Sequence, residues 1–314
     1  MGPHTTRSRK LSRSGVLLLL LLALVFLGAT GYIGAMLLGV HVPSFGSTAQ
    51  SKITTFPIQA TVLYAGVNVT VLEAQQAQNF LDDPTTTTTT PPNMVRILLQ
   101  ASNKTSDVIN LKYPNSVSLL TSAKKTIAPT NVRASSVVAA GATQTNTIDF
   151  ITPENTQVSN LQLLVGTPNE AQLVIPLREH PDVSMYAPKT IKLTGTTTYQ
   201  GLDWTLTSAT SQLSIDAHQA SKGMRYLTVM LTVNNTLSQT AIPGSPYDYV
   251  RLQAGNVTVP PQDTTLPVSF IANKDGQTGG LTFLIPQNAT TLTFTLLAQN
   301  QSGFQQATID FQLA

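Results

Sequence analysis

Cysteine is absent from all 314 residues, so a disulfide framework, a thiolate zinc site, a cysteine nucleophile and a thiol-linked lipid are all excluded. Stability must come from packing alone. Charge is scarce too: 11% of residues are charged, 6% are aromatic, and Trp204 is the one tryptophan. Such a chain is poor in the acids and bases that catalysis draws on. Of four histidines, His4 and His41 precede the main body, which leaves His180 and His218 for any triad. No EF-hand loop, Walker loop or G-x-S-x-G elbow occurs.

Acidic residues are missing where the cations gather. Arg7, Arg9, Lys10 and Arg13 lie near the start, and no Asp or Glu precedes Glu73. Beyond residue 40, fourteen Lys and Arg face fifteen Asp and Glu, so the net charge of +3 belongs to the tail. The main body has no basic stripe for nucleic acid.

The tail, residues 1–14, leads into residues 15–40, GVLLLLLLALVFLGATGYIGAMLLGV, a run without a charge. As a helix rising ~1.5 Å per residue, Val16 to Val40 spans roughly 37 Å, enough to cross a hydrocarbon core with some tilt. Cations on one flank alone place the N-terminus in the cytoplasm and the rest outside. The expectation is a single-pass signal anchor in the cell membrane. A cleaved signal peptide is the alternative, since Ala29-Thr30-Gly31 offers a small-x-small site, but the apolar run continues through Tyr32 to Val40. Residues 41–55, with Pro43 and Gly46, read as a stalk.

From residue 56 onward the chain alternates apolar and polar positions between turn residues, and it repeats itself. YAGVNVTVLEA from Tyr64 matches YQGLDWTLTSA from Tyr199 at an offset of 135 residues. Val95, Ile97, Leu99, Ala101 and Asn103 then match Leu227, Val229, Leu231, Val233 and Asn235 at an offset of 132. DDPTTTTTTPP, residues 82–92, accounts for the change by lengthening one loop of the first copy. IDFITP at Ile148 matches LTFLIP at Leu281, and the second follows NKDGQTGG, expected as a turn. Period-two burial assigns Val95 and its partners to a core face, and Arg96, Gln100, Thr228 and Thr232 to the opposite one.

Two copies without helical crossovers predict an all-β fold of two tandem antiparallel β-sandwiches, each of seven or eight short strands. Domain 1 is expected over residues 56–178 and domain 2 over 190–314. The linker, residues 179–189, is stiffened by Pro181 and Pro188.

These strands carry a resemblance. An apolar strand ending at Val233-Asn234-Asn235, with Gly280 to Pro286 following, resembles the telokin-like, immunoglobulin-like domains of unknown function in bacterial exported, membrane-anchored proteins. The first copy matches through Ala101 to Asn103 and Gly141 to Pro153. The resemblance implies an immunoglobulin-like fold and an extracytoplasmic location, and brings no catalytic residues.

Candidate chemistry is thin. Arg178-Glu179-His180-Pro181-Asp182 is the densest ionisable cluster, and His180 with Asp182 lacks a third metal ligand at suitable spacing. His218 falls in an expected loop, two residues after Asp216. Asp203, Asp248, Asp263 and Asp275 stand singly. Trp204 aligns with Val69 and reads as a core anchor. Lys192, in an expected strand, is the candidate for an internal Lys-Asn crosslink. Asn68, Asn103, Asn234, Asn256, Asn288 and Asn300 begin Asn-x-Ser/Thr triplets.

The sequence thus assigns no catalytic residue, cofactor or metal. The expectation is a non-enzymatic binding or structural module of the cell envelope. Its partners would be the membrane and an envelope polymer or surface protein, with no nucleic acid. A docking subunit of a membrane complex and an envelope hydrolase with a site assembled through space are the alternatives.

Overall fold

The computed structural model describes residues 52–80, 93–298 and 305–313. The basic tail, the expected transmembrane helix, the stalk up to residue 51 and the threonine run lie outside them. Among the described residues no helix is long and apolar enough to cross a membrane. The described chain forms one compact unit, all-β, whose sheets are antiparallel throughout.

Two apolar cores organise it. In the first half, one sheet takes the order Thr54–Tyr64, Val67–Ala77, Asn93–Asn103, Thr143–Thr152, Asn131–Arg133. A second sheet joins Leu173–Pro176, Gln162–Val165, Val117–Leu120 and Thr126–Ile127. Val69, Ile97 and Phe150 from the first sheet share a single cluster with Leu119, Leu163 and Ile175 from the second. The second half repeats this plan. Leu202–Gln212, Met224–Asn235 and Lys274–Pro286 pair side by side, and Val250–Ala254, Thr291–Leu296 and Ala307–Gln312 form the facing sheet.

The expectation of short strands fails for the principal sheets. Thr54–Tyr64, Val67–Ala77 and Asn93–Asn103 each run 11 residues, and bulges shift their pairing without ending the strands. The bulges are themselves duplicated. Pairing slips between Val71 and Glu73 in one half and between Leu206 and Ser208 in the other, which are equivalent positions at the offset of 135.

The repeated Tyr-x-Gly is a two-residue hairpin. Tyr64 pairs with Val67 around Ala65 (φ 48°) and Gly66 (φ 79°); Tyr199 pairs with Leu202 around Gln200 (φ 55°) and Gly201 (φ 72°). Two successive left-handed residues match the twist of the flanking strands, and glycine adopts the second without steric penalty.

NKDGQTGG corrects the expected turn. Lys274 to Gly280 belongs to the 13-residue strand Lys274–Pro286, with the pairing irregular only between Val233 and Asn235. Gly276 is left-handed at that irregularity, and Gly279 serves a close crossing. A Cβ on Gly279 would lie 2.5 Å from Leu266 Cα, so the neighbouring chain occupies the place of a side chain.

Candidate functional site

The shared asparagine is structural in both halves. Asn103 and Asn235 are fully buried where their strands end. Asn103 Nδ2 donates to Asp107 O and Val138 O, and Asn235 Nδ2 donates to Gln239 O and Phe270 O. Each Oδ1 accepts the backbone N–H two residues on, from Thr105 or Leu237. One carboxamide thus ties a loop to a segment 35 residues further along, using donor and acceptor together. Burial also removes Asn103 from the accessible Asn-x-Ser/Thr triplets.

Trp204 is a core residue, 0% exposed. It packs edge-on against Tyr199, Tyr249 and Phe270 with ring centroids 5.5 to 6.2 Å away. Its Nε1 donates to Tyr199 O at 3.2 Å.

Sequence pattern missed the buried charge. Asp149, 0% exposed, accepts from Arg96 Nε at 2.7 Å and Nη2 at 3.0 Å, and from Arg133 Nη2 at 3.1 Å. Arg96 also lies 3.9 Å over the Phe80 ring. The face assigned to Arg96 is therefore covered rather than open, because Phe80, Ala77 and Met94 form a small apolar cluster there. The three charged residues are far apart in sequence, and their fork geometry becomes visible only once the strands pair.

The expected acid and histidine candidates stay apart. His180 and Glu179 are both exposed, 3.9 Å from each other, while Asp182 Oδ1 accepts Ser184 N. Hydrogen bonding from Ser184, by its side chain first and its backbone N–H second, holds the Asp182 carboxyl below its usual range. Among the described residues no three His, Asp or Glu side chains gather as metal ligands. Lys192 is exposed and so far from the buried setting a Lys-Asn crosslink needs; Lys189 and Lys274 lie in strands as well.

Two segments join the halves. Residues 179–189, expected as a stiff linker, are held against the first half. Pro181 is buried, Val183 and Tyr186 pack on the first core, His180 N donates to Ile58 O, and Val174 N donates to the Tyr186 hydroxyl. His218 is not in a loop but in a short hairpin, Ser214–Ile215 with His218–Gln219, and its side chain is exposed. The hairpin docks on the first half. Gly66 N donates to Ser214 Oγ at 2.7 Å, Gln219 Nε2 to Ala171 O at 2.7 Å, Ala171 N to Ala220 O at 2.8 Å, and Lys222 N to Asn169 O at 2.9 Å. Ala171, Ala220 and Tyr226 form the apolar seam beside them.

Glu170 anchors the first half's side. It accepts from the Tyr64 hydroxyl at 3.0 Å and from Thr167 N at 2.7 Å. Burial, with the Glu170 charge adding to it, pushes the Tyr64 phenol well above its ordinary value, so the hydroxyl stays a donor.

Docking leaves a cleft of about 380 Å³ between the halves. Gln172 lines it from the first half, Met185 to Ala187 from the connecting segment, and Lys189, Gln212, Arg225 and Gln287 from the second. A smaller cavity of about 220 Å³ shares Tyr186 and Ala187 with it and lies against Thr61, Leu63 and Asn68. Arg225 Nη2 donates to Ala289 O, while its buried Nε has no hydrogen-bond partner. Burial lowers the Arg225 pKa from its ordinary value.

These features define an all-β protein of two docked, related halves with a polar, cation-bearing cleft at the junction. No family model matches the chain, and no curated protein matches it. Among solved structures it is similar to a conserved hypothetical protein from Bacillus anthracis, at 12% identity over 40% of this chain and 99% of that one, with a TM-score of 0.30. A functionally unknown protein from Listeria monocytogenes EGD-e shares 12% identity over 41% of this chain and 88% of its own, at a TM-score of 0.31. A conserved domain protein from Bacillus anthracis aligns over 82% of this chain and 90% of its own, at 8% identity and a TM-score of 0.24. Likenesses this distant carry nothing about function.

Proposed function

We propose that this chain is a membrane-anchored, extracytoplasmic protein. Its two immunoglobulin-like sandwiches would act together as a non-enzymatic binding or structural module of the cell envelope. The observation that carries this reading is the docking of the halves, which builds one continuous body with a lined cleft instead of two independent beads. The buried charge supports it: Asp149 is spent on Arg96 and Arg133, which makes it a structural counter-ion. The immunoglobulin-like assignment draws on the two facing sheets in each half and on the shared telokin-like strand pattern. The anchor and the location outside the cytoplasm rest on residues 15–40 and the cations before them.

The test is co-sedimentation of the detergent-solubilised full chain with cell-envelope fractions across a salt series. Retention on wall polymer is expected. Turnover of an envelope polymer that disappears on changing one acid or His180 would replace the non-enzymatic reading.

A second reading, a docking subunit of a membrane complex, is favoured by one specific feature. Ile242, 71% exposed, and Ile271, 52% exposed, flank the bridge between Ala241 and Phe270 in the second half. Exposed apolar side chains so placed suit a protein partner. Co-purification of a membrane protein that is lost with Ile242→Asp, without retention on any polymer fraction, would select this alternative.

A further inference from the structure

The cleft between the halves has a chemistry of its own. Its lining includes two cations, Lys189 and Arg225, and no acid. The nearby carboxylate of Glu170 is held by the Tyr64 hydroxyl and Thr167 N. Arg225 is half-buried, makes a hydrogen bond to the Ala289 carbonyl through Nη2, and keeps a partnerless Nε. The buried Nε is out of a ligand's reach, but the half-buried guanidinium keeps its charge and, with Lys189, makes the cleft favourable for an anion.

Three glutamines, Gln172, Gln212 and Gln287, line the same place; Gln172 Nε2 donates to Gly166 O and Gln287 Nε2 to Met224 O, which leaves each of these amides a second N–H and its oxygen. A primary amide donates and accepts at once, as a sugar hydroxyl also requires. Met185, 70% exposed, and the half-buried Tyr186 add apolar surface. The Tyr186 ring is fixed in place because its hydroxyl accepts Val174 N. At about 380 Å³ the space is within the range of small-ligand sites.

We propose that this cleft binds an acidic saccharide. The negative group would sit against Arg225 and Lys189, the hydroxyls would exchange hydrogen bonds with the glutamine amides, and the ring would rest on Met185 and Tyr186. This deepens the envelope-module reading and rests on it for the source of the glycan. Because the lining comes from both halves and from the segment joining them, the site exists only while the halves are docked.

Calorimetric titration of the detergent-solubilised full chain with tetragalacturonate, mannose 6-phosphate and cellotetraose tests it. The first two separate a carboxylate from a phosphate as the charged group, and the third is neutral. At least one acidic probe is expected to bind about tenfold more tightly than cellotetraose, and Arg225→Gln and Lys189→Gln are each expected to weaken it by about fivefold or more. Arg225→Gln also loses the bond to Ala289, so the exposed Lys189→Gln and a Gln172→Ala variant keep the question decidable if it misfolds.

Absence of heat with both acidic probes up to about 10 mM would overturn the proposal. So would binding that is unchanged in Lys189→Gln and Gln172→Ala. The two readings fail separately. Envelope retention by a chain that gives no heat with either acidic probe removes the cleft and leaves the module. Binding of an acidic probe by a chain that sediments with no envelope fraction removes the module and leaves the cleft.

Discussion

Asn103 and Asn235 show how much one side chain can specify. Each carboxamide replaces a missing stretch of sheet, giving two donors to backbone carbonyls and one acceptor to a backbone N–H in a fully buried site. Asn235→Ala strands those backbone groups and is expected to cost about 2–4 kcal/mol in denaturant unfolding. Asn235→Asp keeps the shape but turns an oxygen toward the Gln239 and Phe270 carbonyls. A carboxyl there is easier to keep protonated than in the unfolded chain, so its folded pKa is raised above the unfolded value of about 4. Its stability contribution is therefore present below about pH 4 and lost as pH rises. Asn235→Asp should come closest to the unsubstituted chain in acid and fall behind Asn235→Ala at neutral pH. Melting curves at the two pH values check the order, and a pH-independent gap between the variants would contradict it.

At the level of elements, the hairpins at Ala65-Gly66 and Gln200-Gly201 are an internal control. Both glycines are left-handed, so alanine at either position is strained by about 1 kcal/mol or somewhat more. Their surroundings differ. A Cβ at Gly66 meets the backbone of the docked hairpin, 3.1 Å from Ala217 N and 3.3 Å from Asp216 C, whereas at Gly201 it meets the end of the Leu237 side chain at 3.2 Å. Leucine can move and a hairpin backbone cannot without loosening the bond between Gly66 N and Ser214. Gly66→Ala is expected to cost more than Gly201→Ala and to raise amide exchange over residues 213–222, which Gly201→Ala leaves alone. Equal costs with no change in exchange would mean that the hairpin yields.

The same elements show what a single sequence could reveal. The duplication was legible because Tyr64 and Tyr199, or Val71 and Leu206, keep residue type and spacing. The period-two pattern correctly placed Val95, Ile97, Leu99 and Ala101 in the core. The strand through NKDGQTGG was not legible, since Gly279 answers to Leu266 crossing above and the left-handed Gly276 marks a slip in the pairing instead of the end of a strand. Nor was the docking seam, where Ala171, Ala220, Tyr226, the Ser214 and Gln219 side chains and main-chain groups meet without a distinctive composition. The cleft inherits that silence: Gln172, Lys189 and Arg225 belong to different segments and become neighbours only when the halves meet.

For the whole molecule, the question is whether the two cores unfold together. Four of the hydrogen bonds across the seam, at about 1 kcal/mol each, together with the Ala171, Ala220 and Tyr226 contact, couple the halves by several kcal/mol. That is a large fraction of the stability of a small domain. A single calorimetric transition is expected for the described unit. Ala220→Glu drives a charge into the seam, where Ala220 is 0% exposed and Glu170 already supplies a negative group nearby. The penalty of an unpaired buried carboxylate falls on the docked state and spares each core. The variant should therefore unfold in two separated steps, with each half retaining its own sheet structure. It should also lose any ligand of the cleft, because Gln172 and Arg225 would no longer face a common space. Two transitions already present in the unsubstituted chain would show that the seam is too weak to couple the halves. One transition retained in Ala220→Glu would place the coupling in residues 179–189, strapped along the first half, instead of in the hairpin.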